Sequence, residues 1–281
     1  MSIKIGNTEI KKVYVGNTEI VKLYIGNDLV YSSAPPAPSF CAEALAYFNR
    51  MDVDPPTGLK TILNTAIADM ISAEIWNELD QFVFQCLHSD QANKLDIKGN
   101  FDHTWYDTIS SVEKVGTTIT TSAPAHIATG YLPINGTKFT LNNCGIYFSN
   151  NITENGGDGT YNNGATMPMF GIYAGYNCLN EMNWSGNIIW SNTGNNMFVR
   201  EDDTFEIARN DGTESTWWSP SSTISDTEFE LGRIHTIDTA SMFAHSGLYR
   251  YYGFGSGMNA TKRAAFDAIL TAFLTELPTA Y

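Results

Sequence analysis

The chain has 281 residues, 16 basic and 30 acidic, for a net charge of −14. That length can bury a substantial core without staples, and the acidic balance argues against nucleic-acid binding, which draws its affinity from cationic contacts to phosphate. The chain holds no apolar run of about 18 residues, so no membrane insertion is expected, and "MSIKIGNTEI" lacks the charged-then-apolar pattern of an export signal.

Residues 1–31 repeat one ten-residue phrase three times, with Gly-Asn at Gly6 and Asn7, Gly16 and Asn17, and Gly26 and Asn27. Each pair follows an apolar β-former (Ile5, Val15, Ile25). Gly and Asn tolerate the positive φ of primed turns, so three hairpins joined in a meander are predicted, with these residues as the anchoring turns. The strands are too short to bury their own faces, so the arm needs partners. It carries four lysines against three acids, which leaves the rest of the chain at −15. "SSAPPAPS" at 32–39 is a semi-rigid spacer of the kind found at domain boundaries.

Helical spacing follows. Phe40, Ala44, Leu45 and Phe48 form one stripe. In "TGLKTILNTAIADMISAEIWNELDQF", Leu59, Ile62, Leu63, Ala66, Ile67, Met70 and Ile71 form another, predicting a helix of about 20 residues. Residues 40–94 are therefore expected to make a short helical neck. From about Leu95 to Gly255, short apolar or alternating runs are separated by Gly, Asn and Asp, the pattern of an antiparallel jelly-roll sandwich. "NATKRAAFDAILTAFLTELP" closes the chain as a helix capped by Asn259 or Thr261. The fold class is thus mainly β, with residues 95–281 as the jelly-roll domain and its terminal helix. Cys41, Cys86, Cys144 and Cys178 show no paired spacing and read as reduced, mostly buried thiols.

The arm, the spacer, "IWNELDQFVF", the Asn/Gly/Thr-rich β region, "ELGR" at 230–233 and "LYRYYGFGSGMNATKRAAFDAILTAF" at 248–273 together resemble structural proteins of tailed bacteriophages that carry a concanavalin-A-like, laminin-G-like jelly roll. In that family an "LGxR"-like strand end precedes a final strand and an "xGLTxxE"-like helix start. Here the helix start reads "SGMNATKRAAF", with Met258, Asn259 and Thr261 at those places. The phrase "VYVGNTEIVKLYIGND" is similar to N-terminal repeats of virion proteins from phages of gut Bacteroidota, including the crAss-like phages. The resemblance implies a head fibre or decoration subunit, or a tail appendage that binds a receptor. It further implies a homotrimer, docking to other virion proteins through the arm, and a place on the virion exterior after assembly in the host cytoplasm.

Four patterns bear on chemistry. In "EDDTFE", Glu201, Asp203 and Glu206 fit the E-x-D-x-x-E spacing of jelly-roll glycoside hydrolases, which need paired carboxylates flanking a glycosidic bond. The surrounding run reads better as strand, polar turn, strand, with Glu206 facing outward between Phe205 and Ile207, so no enzyme is expected. "GFGSG" at 253–257 lacks a βαβ setting and reads as a strand end and helix start. His88, His103, His126, His235 and His245 have no metal-ligand spacing, so no metal and no cofactor are expected. Trp217 and Trp218, adjacent in a strand, must point to opposite faces. With Tyr173, Tyr176, Asp202 and Asp203 they are the candidate ligand residues, because aromatic faces beside carboxylates suit a host glycan.

Overall fold

The computed structural model describes residues 39–120, 125–149, 194–210, 212–218, 220–221, 223–233 and 246–280 in full. It describes the backbone alone for strands at 4–5, 8–9, 13–15, 18–20, 22–25, 28–32, 150–152, 157–161, 169–173, 176–181 and 234–236. Contacts divide the chain into two units, Met1–Ser39 and Phe40–Tyr281.

In the first unit, β1 (Lys4–Ile5) pairs with β2 (Thr8–Glu9), β3 (Val13–Val15) with β4 (Thr18–Ile20), and β5 (Lys22–Ile25) with β6 (Asp28–Ser32), all antiparallel. Registers Ile5↔Thr8, Val15↔Thr18 and Ile25↔Asp28 leave two residues between the strands of each ribbon, as the Gly-Asn spacing predicts. The turn residues Gly6, Asn7, Gly16, Asn17, Gly26 and Asn27 themselves lie outside the described residues. Instead of one meander, the described strands form three separate two-stranded ribbons.

The second unit begins with α1 (Ala42–Phe48), α2 (Thr57–Ser72) and β7 (Leu79–Phe84). There follow β8 (Thr104–Tyr106), β9 (Ile109–Val112), β10 (Gly116–Ile119), β11 (His126–Ala128), β12 (Cys144–Ile152), β13 (Gly157–Tyr161), β14 (Met169–Tyr173) and β15 (Tyr176–Glu181). The chain continues through β16 (Asn195–Arg200), β17 (Phe205–Asn210), β18 (Thr213–Trp218), β19 (Glu230–Leu231), β20 (Ile234–Thr236) and β21 (Gly247–Gly255) to α3 (Ala260–Glu276). Pairing is antiparallel except between β13 and β20. The main sheet has the order β18-β17-β16-β12-β21-β10-β9, with β7 also on β21; β19-β11-β8 and β15-β14-β13-β20 form smaller sheets. The result is a mostly antiparallel, sandwich-like β fold with a C-terminal helix.

Strand alternation gives the main sheet two apolar faces. Phe82, Phe84, Tyr147, Val199 and Tyr251 meet α2 and α3 in one core, where Phe84 lies 4.4 Å from Phe273 and Phe82 5.5 Å from Phe266 between ring centroids. Ile146, Phe148, Phe198 and Phe254 meet Ile127 and Leu231 of the smaller sheet in the other, with Tyr131 stacked on Phe254 at 4.4 Å. Asn259 caps α3 by accepting from Lys262 N at 3.0 Å. Gly253 and Gly255 belong to β21, and a Cβ at Gly255 would lie 2.1 Å from Glu78 O, so the "GFGSG" glycines serve close backbone approach.

Residues 40–94 are not a neck. Their buried side chains share the first core with Tyr147, Tyr251 and Phe266, and β7 is a strand of the main sheet. The helix expected over about 20 residues stops at Ser72 after 16, and Leu79–Phe84, buried on both faces, is extended. A strand covered on both sides shows an unbroken buried run, which sequence periodicity cannot separate from the end of a helical stripe. In α1, Ala44 and Phe48 are buried as expected, but Leu45 is exposed and Tyr47 takes its place inside. Cys41 and Cys86 are free thiols and Cys144 is buried; the Cys178 side chain lies outside the described residues.

A bulge sets the sandwich edge. Phe254 faces Gln81 and Gly255 faces Leu79, which leaves Asp80 as the extra residue. Its buried carboxylate accepts from Tyr131 Oη (3.1 Å), Thr137 N (2.9 Å), Thr137 Oγ1 (2.8 Å), Lys138 N (3.0 Å) and Phe139 N (2.9 Å). Asp80→Ala would strand these donors in the interior and is expected to cost about 3 kcal/mol or more of stability, measured by urea unfolding.

Candidate functional site

Among the described residues, the most exposed aromatic surface grows from one hairpin of the main sheet. After β16, the Asp202 carboxylate accepts from Thr204 N and Phe205 N, both at 2.8 Å, closing an Asx turn. These two N–H donors hold the Asp202 carboxyl below the usual carboxylate range. Thr204 Oγ1 donates to Asp203 Oδ1 at 2.8 Å, and Ser221 N donates to Asp203 O at 3.1 Å, which returns the chain beyond β18 to this turn.

Between β17 and β18 the register is Phe205↔Trp218, Glu206↔Trp217 and Ile207↔Thr216. Alternation then puts Phe205 and Trp218 side by side on one face, with Glu206 and Trp217 on the other. Phe205 is 43% exposed and Trp218 66%, at the outer edge of the sheet. Trp217 packs against the second core. The two adjacent tryptophans therefore divide as strand geometry requires, one inward and one outward.

Glu206 corrects the sequence expectation. It points inward and is fully buried, with Oε1 2.7 Å from Nη2 of the equally buried Arg200. Phe205 takes the outward place instead. Once Arg200 is inside on the neighbouring strand (Arg200↔Glu206), the carboxylate must be inside with it, because an unpaired buried guanidinium is far more costly than an exposed phenyl ring.

The other acids near the hairpin are committed to pairs that fasten α3 to the sheet. Arg263 binds Glu201 and also Glu214 (2.9 and 3.0 Å), and Arg209 reaches Asp267 at 3.1 Å. Glu201, Asp203 and Glu206 thus lie on an α3-facing ion pair, an exposed turn and the interior, and do not converge on one surface. Among the described residues no ion pair engages Asp202 or Asp203, so both present unneutralised charge beside the rings.

Of the six residues singled out for a ligand, Trp218, Asp202 and Asp203 come together at this hairpin. Trp217 belongs to the core. Tyr173 and Tyr176 are Cα partners on β14 and β15, in a different sheet, and their side chains lie outside the described residues. Phe205 was missed. Its signal was the Asn210–Thr213 pairing across a two-residue Asp-Gly connection, from which counting back sets Phe205 opposite Trp218. Of the histidines, His103 is buried against Gln85 (3.1 Å), and burial pushes its pKa down to about 3. Among the described residues no group of three or more His, Cys, Asp or Glu is placed to hold a metal.

No family model and no curated protein matches the chain. Among solved structures it is similar to a mutant of Trypanosoma rangeli sialidase displaying trans-sialidase activity, at 9% identity and TM-score 0.47, over 76% of this chain and 39% of that one. It is also similar to the botulinum neurotoxin serotype D binding domain, at 10% identity and TM-score 0.44, over 69% of this chain and 51% of that one. The binding domain of botulinum neurotoxin DC in complex with rat synaptotagmin II gives 8% identity and TM-score 0.46, over 69% and 52%. This chain therefore spans about half the length of the toxin domains and less of the sialidase, and nothing is transferred from them.

The buried pair makes a sharp prediction. Arg200→Met alone should lower stability by about 3–5 kcal/mol, whereas Arg200→Met with Glu206→Leu should recover most of that loss, both read by urea unfolding. A comparable loss in the double variant would mean that the two charges do not act as a pair.

Proposed function

We propose that the chain is a non-enzymatic, lectin-like displayed subunit: the body binds a glycan through Phe205 and Trp218, and the arm anchors it. The observation that carries this reading is the opposed, exposed Phe205–Trp218 pair. A pyranose ring has an apolar face that stacks on aromatic rings, and its hydroxyls can donate to nearby carboxylates such as Asp202 and Asp203. A Trp two-thirds in water gains little from burial, and two exposed rings side by side on an edge strand favour a recognition role. The separation of Glu201, Asp203 and Glu206 speaks for binding rather than hydrolysis.

The anchoring half of the proposal rests on the arm. Each ribbon has only two strands, and an isolated two-stranded ribbon is marginal in water. Strand edges with no further pairing among the described residues can be completed by sister copies, and we place three copies together as a homotrimer on a tailed-phage virion exterior, docked to other virion proteins. The virion placement rests on the resemblance of the "GNTEI" repeats.

Two experiments test these halves separately. Trp218→Ala should abolish glycan-array binding while leaving the unfolding midpoint within about 0.5 kcal/mol of the parent, as for a surface change; retained binding would overturn the aromatic site. Light scattering should give a trimer of the 31.0 kDa chain for the full protein and a monomer for a chain beginning at Pro38; two monomers would remove the arm as the assembly device.

A further inference from the structure

The charge around the exposed rings says which glycans the site can take. Asp202 and Asp203 occupy the turn that leads directly into Phe205, and the Ser221 N to Asp203 O hydrogen bond brings the segment after Trp218 to the same turn. Both side chains are exposed, and among the described residues neither has an ion-pair partner. Arg200 on β16, Arg209 on β17 and Arg263 on α3 are already held by Glu206, by Asp267 and Glu214, and by Glu201 and Glu214. The rings therefore sit beside at least two uncompensated negative charges, on a body that carries net −15 outside the arm.

Resting on the glycan reading above, we propose that this face is a charge filter: it accepts neutral or amine-bearing sugars and rejects sugars bearing carboxylate or sulfate. A ring stacked on Phe205 and Trp218 brings its substituents within reach of the turn. An anionic substituent seated about 7 Å from each carboxylate is penalised on the order of fivefold in affinity at 10 mM salt and about twofold at 0.15 M. A protonated amine gains by the same route and also by lying against the face of Trp218, where the ring quadrupole attracts cations. Asp202 is held in orientation by its two backbone N–H donors, so its charge stays at the turn that leads into Phe205.

The test uses the full-length protein on an array of neutral, amino and anionic glycans, the last group containing sialylated, sulfated and uronic members, read at 10 mM and 0.5 M salt. The bound set should be neutral and amino sugars, with anionic members at least about fivefold weaker at low salt and the gap closing at high salt. The Asp202→Asn, Asp203→Asn double variant should bring the ratio of neutral to anionic binding toward one, since Asn can still cap the turn. Equal or stronger binding of anionic glycans by the parent protein overturns the filter but leaves the glycan reading standing, and so does an unchanged ratio in the double variant. Binding of no glycan at all overturns both.

Discussion

The position of β21 constrains everything else in the body. This nine-residue strand is hydrogen-bonded to β12 along one edge and shares its other edge between β10 and β7. It is therefore the only described strand that joins the N-terminal segment to the sandwich and also leads into α3. Its two edges carry different irregularities. Opposite β12 the register shifts so that Arg250 is skipped, which lets Tyr249 and Tyr252 serve the second core while Tyr251 serves the first. Opposite β7 the shift ejects Asp80, whose carboxylate then gathers the 137–139 backbone and Tyr131. Gly253 and Gly255 permit the close approach of β7, because a Cβ at either would strike Phe82 or Glu78. One strand thus fixes two cores, one loop and the start of the terminal helix.

What could be read from the sequence followed from local rules. The two-residue spacing of the paired strands in the arm, the cap at Asn259, the α2 stripe and the opposite orientation of Trp217 and Trp218 each depend on a few neighbouring residues, and each is visible in the chain itself. The rest depends on tertiary partners. β7 looks like the tail of a helix until β21 is known to lie beside it, and the neck disappears with that pairing. Glu206 looks outward by polarity and is inward because Arg200 is inward, a fact belonging to the adjacent strand. The same inversion hid Phe205, so half of the candidate binding pair was lost through one misassigned alternation.

The ion pairs around α3 explain why the acidic turn is left uncompensated. Arg209 on β17 and Arg263 on α3 hold the helix on the sheet through Glu201, Glu214 and Asp267, while Arg200 on β16 is held by Glu206. These pairs are half-buried or better, and a half-buried arginine without a partner would cost more than it gains in water. Packing α3 therefore uses the positive charge that would otherwise neutralise Asp202 and Asp203.

Edge exposure is the remaining physical question. β18 ends the main sheet, and an edge strand that also displays a tryptophan invites unwanted pairing with other chains. Two features oppose this. The strand is otherwise polar, "TEST", with Glu214 pointing to the α3 side, and the charge of the body disfavours approach of a second acidic surface. The filter proposed for glycans is then the same repulsion that keeps the edge open. On that proposal the carboxylates at the turn disfavour acidic partners, whether a sister body or a sialylated chain, and favour an uncharged or basic ligand at the two rings. The proposed selectivity and the resistance of the edge to acidic partners would then share one electrostatic origin.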